Sequence, residues 1–529
     1  MIRHILKKDL RLLWPFAAAL AIAPFALIAV DLRRGHFQLG DATLSSLLLL
    51  LELAFYFGAA ALILTLVHQD SLVGVRQDWL ARPIRRRDLL AAKLLFVLAV
   101  VQLPMLLANL LEGLADGFPF SHAFLPALSQ NVWLLLAFTL PLLAIASLTR
   151  SMTTATAFAV GIFAIFMCGI ILLKMISGNP LGPTQATAVA WIPGAARLLI
   201  YLLASVAILL LQFFRRRTRT SITVLGAALI VSLIVDLTPW SLAFHFQQDL
   251  SPSPSSAKAI QISLSTNPEI PAAPNQTTKP SPMKETPLSP AGGNSTLHLP
   301  ILVRGLPPHS ILKIDRAVAS VQLPGSRRRI LLTAPNISGA FHMPGYAITA
   351  AAPDQYNETI HVRSRTYSAL KNRRVTLSVT YSATLLHLSS VNRLAPSGAN
   401  LRIPGIGWCQ TRINENHTEV ELRCLQIGHP SQCMASWLAN PASGRRNPDV
   451  HGCRGSYSPW FGRYKPLVTT AFAGTNMLFR DPSGLIHYPV NASQLRNSVV
   501  MLRTYQPEAH FTRTLTIPNI KLADFTVQQ

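Results

Sequence analysis

The apolar positions of this chain follow two unlike patterns. Before about residue 250, long uninterrupted apolar runs recur, whereas the rest of the chain has short apolar segments separated by Pro, Gly, Ser and Asn. A run of about 20 apolar residues is long enough to cross about 30 Å of hydrocarbon as a helix. We therefore expect seven membrane-spanning helices, near residues 12–30, 47–67, 94–111, 128–148, 155–173, 192–214 and 222–243.

A basic amphipathic segment precedes the first predicted span. Arg3, Lys7, Lys8 and Arg11 are interspersed with apolar residues at spacings of three and four. This pattern predicts a helix that lies on the cytoplasmic leaflet. A signal peptide has a similar start, but no small-residue cleavage site follows cleanly, so we expect the first span to be retained.

The second half of the chain has the pattern of a β-rich domain. Residues 249–258 and 265–298 are rich in Pro, Ser, Thr and Asn, which predicts disorder. Short β-like runs with recurring turn signals predict one or two sandwich-like units. The expected fold is an α-helical multi-pass membrane domain followed by an all-β, sandwich-like extracytoplasmic domain. Its predicted parts are a transmembrane domain with an N-terminal elbow helix at 1–246, a partly disordered Pro/Ser-rich linker at 247–298 and the β-rich domain at 299–529.

The charge distribution orients the predicted helices. The chain carries 47 Lys and Arg against 23 Asp and Glu, but in the first half the basic residues lie in short loops between apolar runs. Membrane orientation accounts for such loops, and we expect no nucleic-acid partner. Alternate loops hold 15 and 3 basic residues. The positive-inside rule then places the N-terminus in the cytoplasm, and seven spans place the β domain outside a bacterial cytoplasmic (inner) membrane.

Ionisable residues inside the predicted spans are candidates for a translocation path, because a charge in the bilayer is costly. Glu52 and Arg197 are the two that we single out. Both lie within a turn or two of a span end, so snorkelling toward the headgroups is the alternative.

The longest predicted cytoplasmic loop, residues 68–93, has an internal order. An acidic residue, a glycine, a short helical stretch, a helix-ending proline and a second helix follow one another. The candidate residues are Asp70, Gly74, Leu80, Arg82, Pro83, Ile84 and Lys93. Such a unit can place a rigid helix in a partner's groove. The alternative is a basic anchor on anionic lipid, since the loop carries five Arg and one Lys.

With Asp70, Gly74, Leu80, Pro83, Ile84, Leu89 or Leu90, and Lys93, the chain resembles the permease subunits of type-2 ABC exporters. The resemblance covers about residues 1–217. It departs from the family at Val75, where Thr is usual, and in the seventh span and the external domain. It implies that the loop couples the permease to a separate ABC ATPase subunit. It also implies a homodimer or heterodimer of permeases in a lipid membrane.

The chain itself has no motif of an enzyme. It contains no Gly-x-x-x-x-Gly-Lys-Ser/Thr phosphate loop, no His-Glu-x-x-His, no Gly-x-Ser-x-Gly and no Cys-x-x-Cys. We therefore expect ATP hydrolysis on a partner chain, and no cofactor or metal here. An alternative is a membrane-anchored extracytoplasmic binding or assembly module without transport activity. An intramembrane enzyme is a weaker alternative, because no span carries paired catalytic residues.

Four of the five cysteines cluster in the second half, at Cys409, Cys424, Cys433 and Cys453. An even cluster outside the membrane predicts disulfides. With a turn centred between Asn416 and His417, Cys409 lies opposite Cys424 on the neighbouring strand, within disulfide range. We predict Cys409 with Cys424, which leaves Cys433 with Cys453. A four-Cys zinc site is the alternative, although the close Cys pairs usual in such sites are missing.

Overall fold

The computed structural model divides the chain into a helical bundle and a β-rich region. It describes residues 1–34, 42–70, 85–158, 189, 191–236, 240–265, 294–332, 347–349, 355–395, 400–404, 407–413, 419–425, 432–441, 445–446, 450–454, 477–480 and 499–526, and the single positions 160, 161, 164, 168 and 238.

Six helices of the described residues are long and apolar enough to cross a membrane. They are α1 (Ile2–Arg34), α2 (Ala42–His68), α3 (Arg86–Ala115), α4 (Phe120–Leu148), α5 (Trp191–Leu210, continued by a π-helical turn at Leu211–Arg215) and α6 (Thr218–Asp236). Buried apolar side chains such as Phe55, Leu62 and Phe96 form one core between them. The helices indicate a multi-pass membrane protein.

Contacts between helix termini define two ends of this bundle. At the end that we call the loop end, Lys8 contacts Asp70, His68 contacts Thr149, and Arg86 contacts Phe214. At the opposite end, which we call the sheet end, lie the turn at 116–119 and the segment after Asp236. The N-terminus and the loop after α2 therefore share one end, and the chain leaves the bundle at the other.

Two helical predictions differ from the structure, and a third cannot be compared. The basic segment expected as a separate elbow helix forms one continuous helix with the first span. The span predicted at 222–243 ends at Asp236, because Pro239 cannot continue a helix, and a second helix, α7 (Trp240–Asp249), follows. Most of the span predicted at 155–173 lies outside the described residues.

The second half is built of β-strands, as predicted. They are β1 (Gln261–Leu264), β2 (Asn294–Arg304), β3 (Ser310–Gln322), β4 (Arg329–Leu331), β5 (Ala347–Thr349), β6 (Gln355–Arg363), β7 (Arg374–Leu394), β8 (Leu401–Ile403), β9 (Gly407–Ile413), β10 (Glu419–Leu425), β11 (Gln432–Asn440), β12 (Arg445–Arg446), β13 (Val450–Arg454), β14 (Met477–Arg480) and β15 (Val499–Lys521). One short helix, α8 (Ser364–Leu370), interrupts them.

The strands form three sheets with antiparallel pairing. The large sheet has the order β12-β11-β15-β7-β3-β4, a second sheet is β14-β10-β9-β8, and a third is β1-β2-β6. Along β7, alternate residues such as Val375, Leu377 and Val379 are buried. They share one hydrophobic cluster with Leu297 and Val362 of the three-stranded sheet. The opposite face of β7 is therefore the one available for other contacts.

Part of the predicted linker belongs to the β domain. Residues 261–264 pair with residues 301–304, and Ala257 and Ile260 are buried beside them. The Arg513 guanidinium donates to the carbonyl oxygens of Ala257 and Ile260, at 2.7 and 3.1 Å. These bonds satisfy two backbone carbonyl groups at the edge of a segment whose polar composition predicts disorder. Residues 266–293 of the predicted linker lie outside the described residues.

The β region contacts the sheet end of the bundle at two places. Trp408 of β9 stacks on His122 of α4, with ring centroids 3.4 Å apart, and Gln410 donates to the Asp116 carbonyl oxygen. Farther along the large sheet, Gln247 of α7 lies 3.0 Å from His510 of β15. The β domain is thus held both by a turn of the bundle and by the helix that links the two halves.

Candidate functional site

Four charged side chains from three elements meet at the loop end. The Lys93 ammonium lies 2.9 Å from Asp9 and 2.6 Å from Asp70, and Lys8 lies 2.8 Å from Asp70 and 3.5 Å from Asp9. Two acids and two bases thus form a neutral group, which we call the ion cluster. The resemblance selected Asp70 and Lys93, and the structure brings these two together.

Burial makes the ion cluster sensitive to any change in its charges. The side chains of Asp9 and Lys93 are 0% and 2% exposed, whereas Lys8 is 41% exposed. Burial raises the pKa of Asp70, but the Lys93 and Lys8 ammonium groups outweigh it and hold that pKa below its ordinary value. Asp70 is therefore ionised at neutral pH, and each buried charge has a counter-charge.

Two members of the ion cluster, Asp70 and Lys93, flank the predicted coupling loop in the sequence. Asp70 follows the end of α2 by two residues, and Lys93 lies in the first half of α3. Lys93 contacts Asp9 of α1 directly, and Asp70 is joined to Asp9 through Lys93 and Lys8. Gly74, Leu80, Arg82, Pro83 and Ile84 lie outside the described residues, so their predicted roles stay predictions.

Further polar contacts join the helices at the same end. The His68 imidazole lies 2.8 Å from the Thr149 hydroxyl, and Arg86 donates to the Phe214 carbonyl oxygen at 2.7 Å. These contacts connect α2 to the end of α4, and α3 to the end of α5. Together with the ion cluster, these contacts link the ends of five helices, α1 to α5, at the loop end.

The interior of the bundle contains a polar contact between two π-helical turns. The turns are at Leu98–Gln102 in α3 and Leu135–Thr139 in α4, and Gln102 donates to the Thr139 hydroxyl at 2.8 Å. Pro104 and Pro141 follow these turns. A proline removes a backbone donor, and a widened turn is a common way for a helix to adapt.

The candidate path residues lie in separate helices. Glu52 is half-buried in α2, and Arg197 of α5 donates to the Pro193 carbonyl oxygen at 3.3 Å. Sequence reasoning missed two more polar residues, Asn109 and Glu112 of α3, which are 1% and 2% exposed. The predicted span ends at residue 111, and an asparagine is not ionisable, so the sequence pattern singles out neither residue. The role of Glu52 and Arg197 in a path stays a prediction.

The strand register places the two cysteines of each predicted pair opposite one another. Cys409 of β9 lies opposite Cys424 of β10, and Cys433 of β11 lies opposite Cys453 of β13. Opposed residues of antiparallel strands have Cα atoms about 4.5–5.5 Å apart, within the range of a disulfide. The register thus fits both predicted pairs, and the bonds themselves stay predictions.

A second buried polar group lies where α7 meets the large sheet. Lys313, Thr384 and His510 are neighbours across three strands. Lys313 pairs with Asp315 at 3.0 Å, Thr384 donates to Asp315, and the Thr384 hydroxyl lies 2.9 Å from His510 Nδ1. Burial has the largest effect on His510 and lowers its pKa to about 4. The Asp315 carboxylate raises this pKa, and the Lys313 ammonium lowers it further. His510 is therefore neutral at pH 7.

Acid is expected to destabilise the β domain through His510. Between the ordinary histidine pKa of about 6.5 and about 4, the unfolded chain binds a proton that the folded chain does not. The free energy of unfolding therefore falls as the pH is lowered through this window, by at most about 3 kcal/mol. Thermal melting of the detergent-solubilised protein at several pH values measures it. His510→Gln should flatten this pH dependence, whereas His387→Gln, at an exposed position, should not. Equal slopes for both variants contradict the assignment.

Neither protein-family models nor curated proteins match the chain. The resemblance to exporter permeases therefore depends on the spacing of Asp70, Gly74, Pro83 and Lys93 and on the arrangement of the helices. The ion cluster joins Asp70, two residues after the end of α2, to buried positions of α1 and α3.

Proposed function

We propose that this chain is the membrane-spanning permease subunit of an ABC-type exporter in a bacterial cytoplasmic membrane. A separate ATPase subunit docks on the loop between α2 and α3, and two permeases work as a homodimer or heterodimer. The β domain lies outside, as a sandwich-like unit on the outer end of the helices. ATP is hydrolysed by the partner, because this chain has no phosphate-binding loop.

The ion cluster is the observation that carries the proposal. A coupling loop must transmit the movement of its partner to the spans, so its ends need attachment to buried positions of the bundle. Lys93 and Asp70, at 2.6 Å, close the loop, and Asp9, which is fully buried, ties it to α1. A loop that served only to attract anionic lipid needs basic side chains at its surface but no such buried attachment.

The arrangement of the helix ends supports the orientation. The N-terminus, Asp70, Thr149 and Phe214 lie at the loop end, and the predicted cytoplasmic segments that contain or adjoin these residues hold 15 basic residues. The positive-inside rule makes this end cytoplasmic.

The same helix ends bear on the number of spans. Met152 contacts Thr65 near the loop end, whereas Val189 packs against Phe244 of α7 at the sheet end. Residues 152 and 189 thus lie near opposite ends of the bundle, and the span predicted at 155–173 lies between them in the sequence. With that span, the number of crossings is odd and the β domain is external.

Changes within the loop are expected to uncouple the partner. Gly74→Trp places a bulky side chain where the resemblance requires glycine, and deletion of Leu80 to Ile84 removes the predicted docking helix. We expect either variant to stay in the membrane but to lose the co-purifying ATPase chain and its ATP hydrolysis. The measurement is affinity purification of the full chain in mild detergent, followed by peptide mass spectrometry and an ATPase assay.

A deletion of equal size elsewhere is the control for that experiment. Removal of residues 276–280 from the Pro-rich segment should leave ATPase association unchanged. If the loop variants keep the ATPase, the loop is not the coupling element. If the unaltered chain brings down no chain with a phosphate-binding loop, the anchored binding or assembly module becomes the better account.

A further inference from the structure

The face of the large sheet that bears α7 is only partly covered by that helix. Beyond the row of Lys313, Thr384 and His510, this face continues through the cross-strand pairs Thr514 with Thr380 and Thr516 with Ser378. Thr514 and Thr516 are exposed, and their partners are half-buried. From Thr384 to Arg374 the face extends about 34 Å, at about 3.4 Å per residue. We call this part of the face, which α7 does not cover, the open face.

Basic side chains collect at the far end of the open face. Arg374 of β7 lies opposite Lys521 of β15. On the other side of β7, Thr376 lies opposite Gln322 of β3, and Gln322 lies opposite Arg329 of β4. Paired residues share a face, and positions 374 and 376 point to the same side, so the three basic residues lie together. All three are exposed. Residues 320–332, 371–380 and 514–524 hold seven Lys and Arg, against Asp524 alone.

An exposed apolar residue lies beside these charges. Leu331 pairs with Ser320, which pairs with Ser378, so it belongs to the open face. It is 67% exposed, more than any other large apolar side chain of the described β region. A leucine flanked by arginine is the combination by which protein surfaces enter the boundary of a lipid layer.

Helix α7 sets the height of the open face above the membrane. It begins four residues after α6 ends, buries Ala243 and Phe244, and leaves Leu242 and Phe246 60% and 51% exposed. An interfacial helix sinks its apolar side about 5–10 Å into the headgroup boundary, and a helix is about 10 Å across. A sheet that rests on the other side of α7 lies at, or just above, the level of the headgroups.

The second contact of the β domain sets the direction of the strands. Near the end of β7, Ala395 accepts a hydrogen bond from Thr411, and the neighbouring Gln410 donates to Asp116 at the turn of the bundle. The middle of β7 is held at α7 through Thr384 and His510. Two contacts along one strand, both with the sheet end, place its axis along the membrane surface. The basic end then extends over lipid.

We propose that the open face is a phospholipid-binding surface, on which Arg329, Arg374 and Lys521 bind headgroup phosphates and Leu331 enters the interface. The occupant is the lipid layer at the sheet end of the bundle. The charges complement phosphate, and the face continues the surface that α7 forms. The proposal requires the helices to span a membrane, and it is independent of whether the protein is an exporter.

Distance-dependent quenching in nanodiscs tests the proposal. The full chain carries a fluorescent amino acid at Leu331, and the lipids, phosphatidylcholine with added phosphatidylglycerol, carry a headgroup nitroxide. We expect strong quenching at 331 and little at Gln261, an exposed residue of the three-stranded sheet on the far side of the core. A label at Thr516, exposed on the same face, repeats the measurement if the 331 variant does not fold.

Charge variants decide whether phosphate is the ligand. Arg374→Glu should weaken the docked state on the order of fivefold or more, and so reduce quenching at 331, while Arg304→Glu, at an exposed position away from this face, should not. Equal quenching at 331, 516 and 261 overturns the proposal. A second result also overturns the proposal: polyphosphate binds in detergent in an Arg374-dependent way, but nanodisc lipids do not quench the label at 331. That result would assign the face to a soluble polyanion.

Discussion

Lys93→Met is expected to destabilise the helical bundle by about 3–5 kcal/mol, the range measured when one partner of a buried ion pair is removed. Methionine preserves the length of the side chain but leaves Asp9, which is fully buried, and Asp70 without their shared cation. Lys8 remains, but it is 41% exposed and its closest approach to Asp9 is 3.5 Å. The midpoint of thermal unfolding of the purified protein in detergent measures the loss.

Two further variants separate the ion cluster from a general effect of charge. Lys7→Met removes an exposed cation from the same helix as Asp9, and it should change stability by less than about 0.5 kcal/mol. The double variant Lys93→Met with Asp9→Asn should recover part of the loss, because the unpaired buried charge is gone. A Lys93→Met protein as stable as the unaltered chain contradicts the description of this cluster.

The two cysteine pairs are expected to form disulfides with a large effect on the β domain. Peptide mapping without reduction should give Cys409 with Cys424 and Cys433 with Cys453, which lie opposite one another in the sheets. Closing a loop of about 15 residues stabilises a fold by about 3 kcal/mol. Cys409→Ser should therefore lower the unfolding midpoint of the β domain, and reductant should have no further effect on that pair.

The first pair has a second consequence, because its strands also contact the bundle. Trp408 and Gln410, which flank Cys409, touch His122 and Asp116. Loss of the pair should weaken the attachment of the β domain, measured as faster hydrogen exchange at 407–413. Free thiols at all four positions in protein from the native membrane would contradict both the pairing and the oxidising location.

The parts of the fold that depend on local pattern were predictable. Apolar runs gave the positions of five of the helices, and the symmetric position of Cys409 and Cys424 about a polar turn gave the register of β9 and β10. Pro239 also carried a signal, since a proline limits how far the helix before it continues, and the predicted span that crossed it was too long.

The parts that depend on distant contacts were not predictable from one sequence. Asp9 appears in the sequence as a lone acid in a basic, solvated segment, and only the packing of α1 on α3 shows that it is buried against Lys93, 84 residues away. In the same way, residues 259–264 have a β-like pattern, but only the pairing of β1 with β2 across the Pro-rich segment shows that they belong to the β domain and not to the predicted linker. The row of Lys313, Thr384 and His510 exists only because three strands are in register.

Protease accessibility in spheroplasts tests most directly whether the loop and the β domain lie on opposite sides of one membrane. Short cleavable tags are inserted in the full chain after Gln77 and after Asn275. We expect added protease to cleave the tag at 275 in intact spheroplasts, and the tag at 77 only after lysis. Cleavage of both tags from the same side would contradict an odd number of crossings between the loop and the β domain, and with it the coupling of an internal ATPase to an external domain.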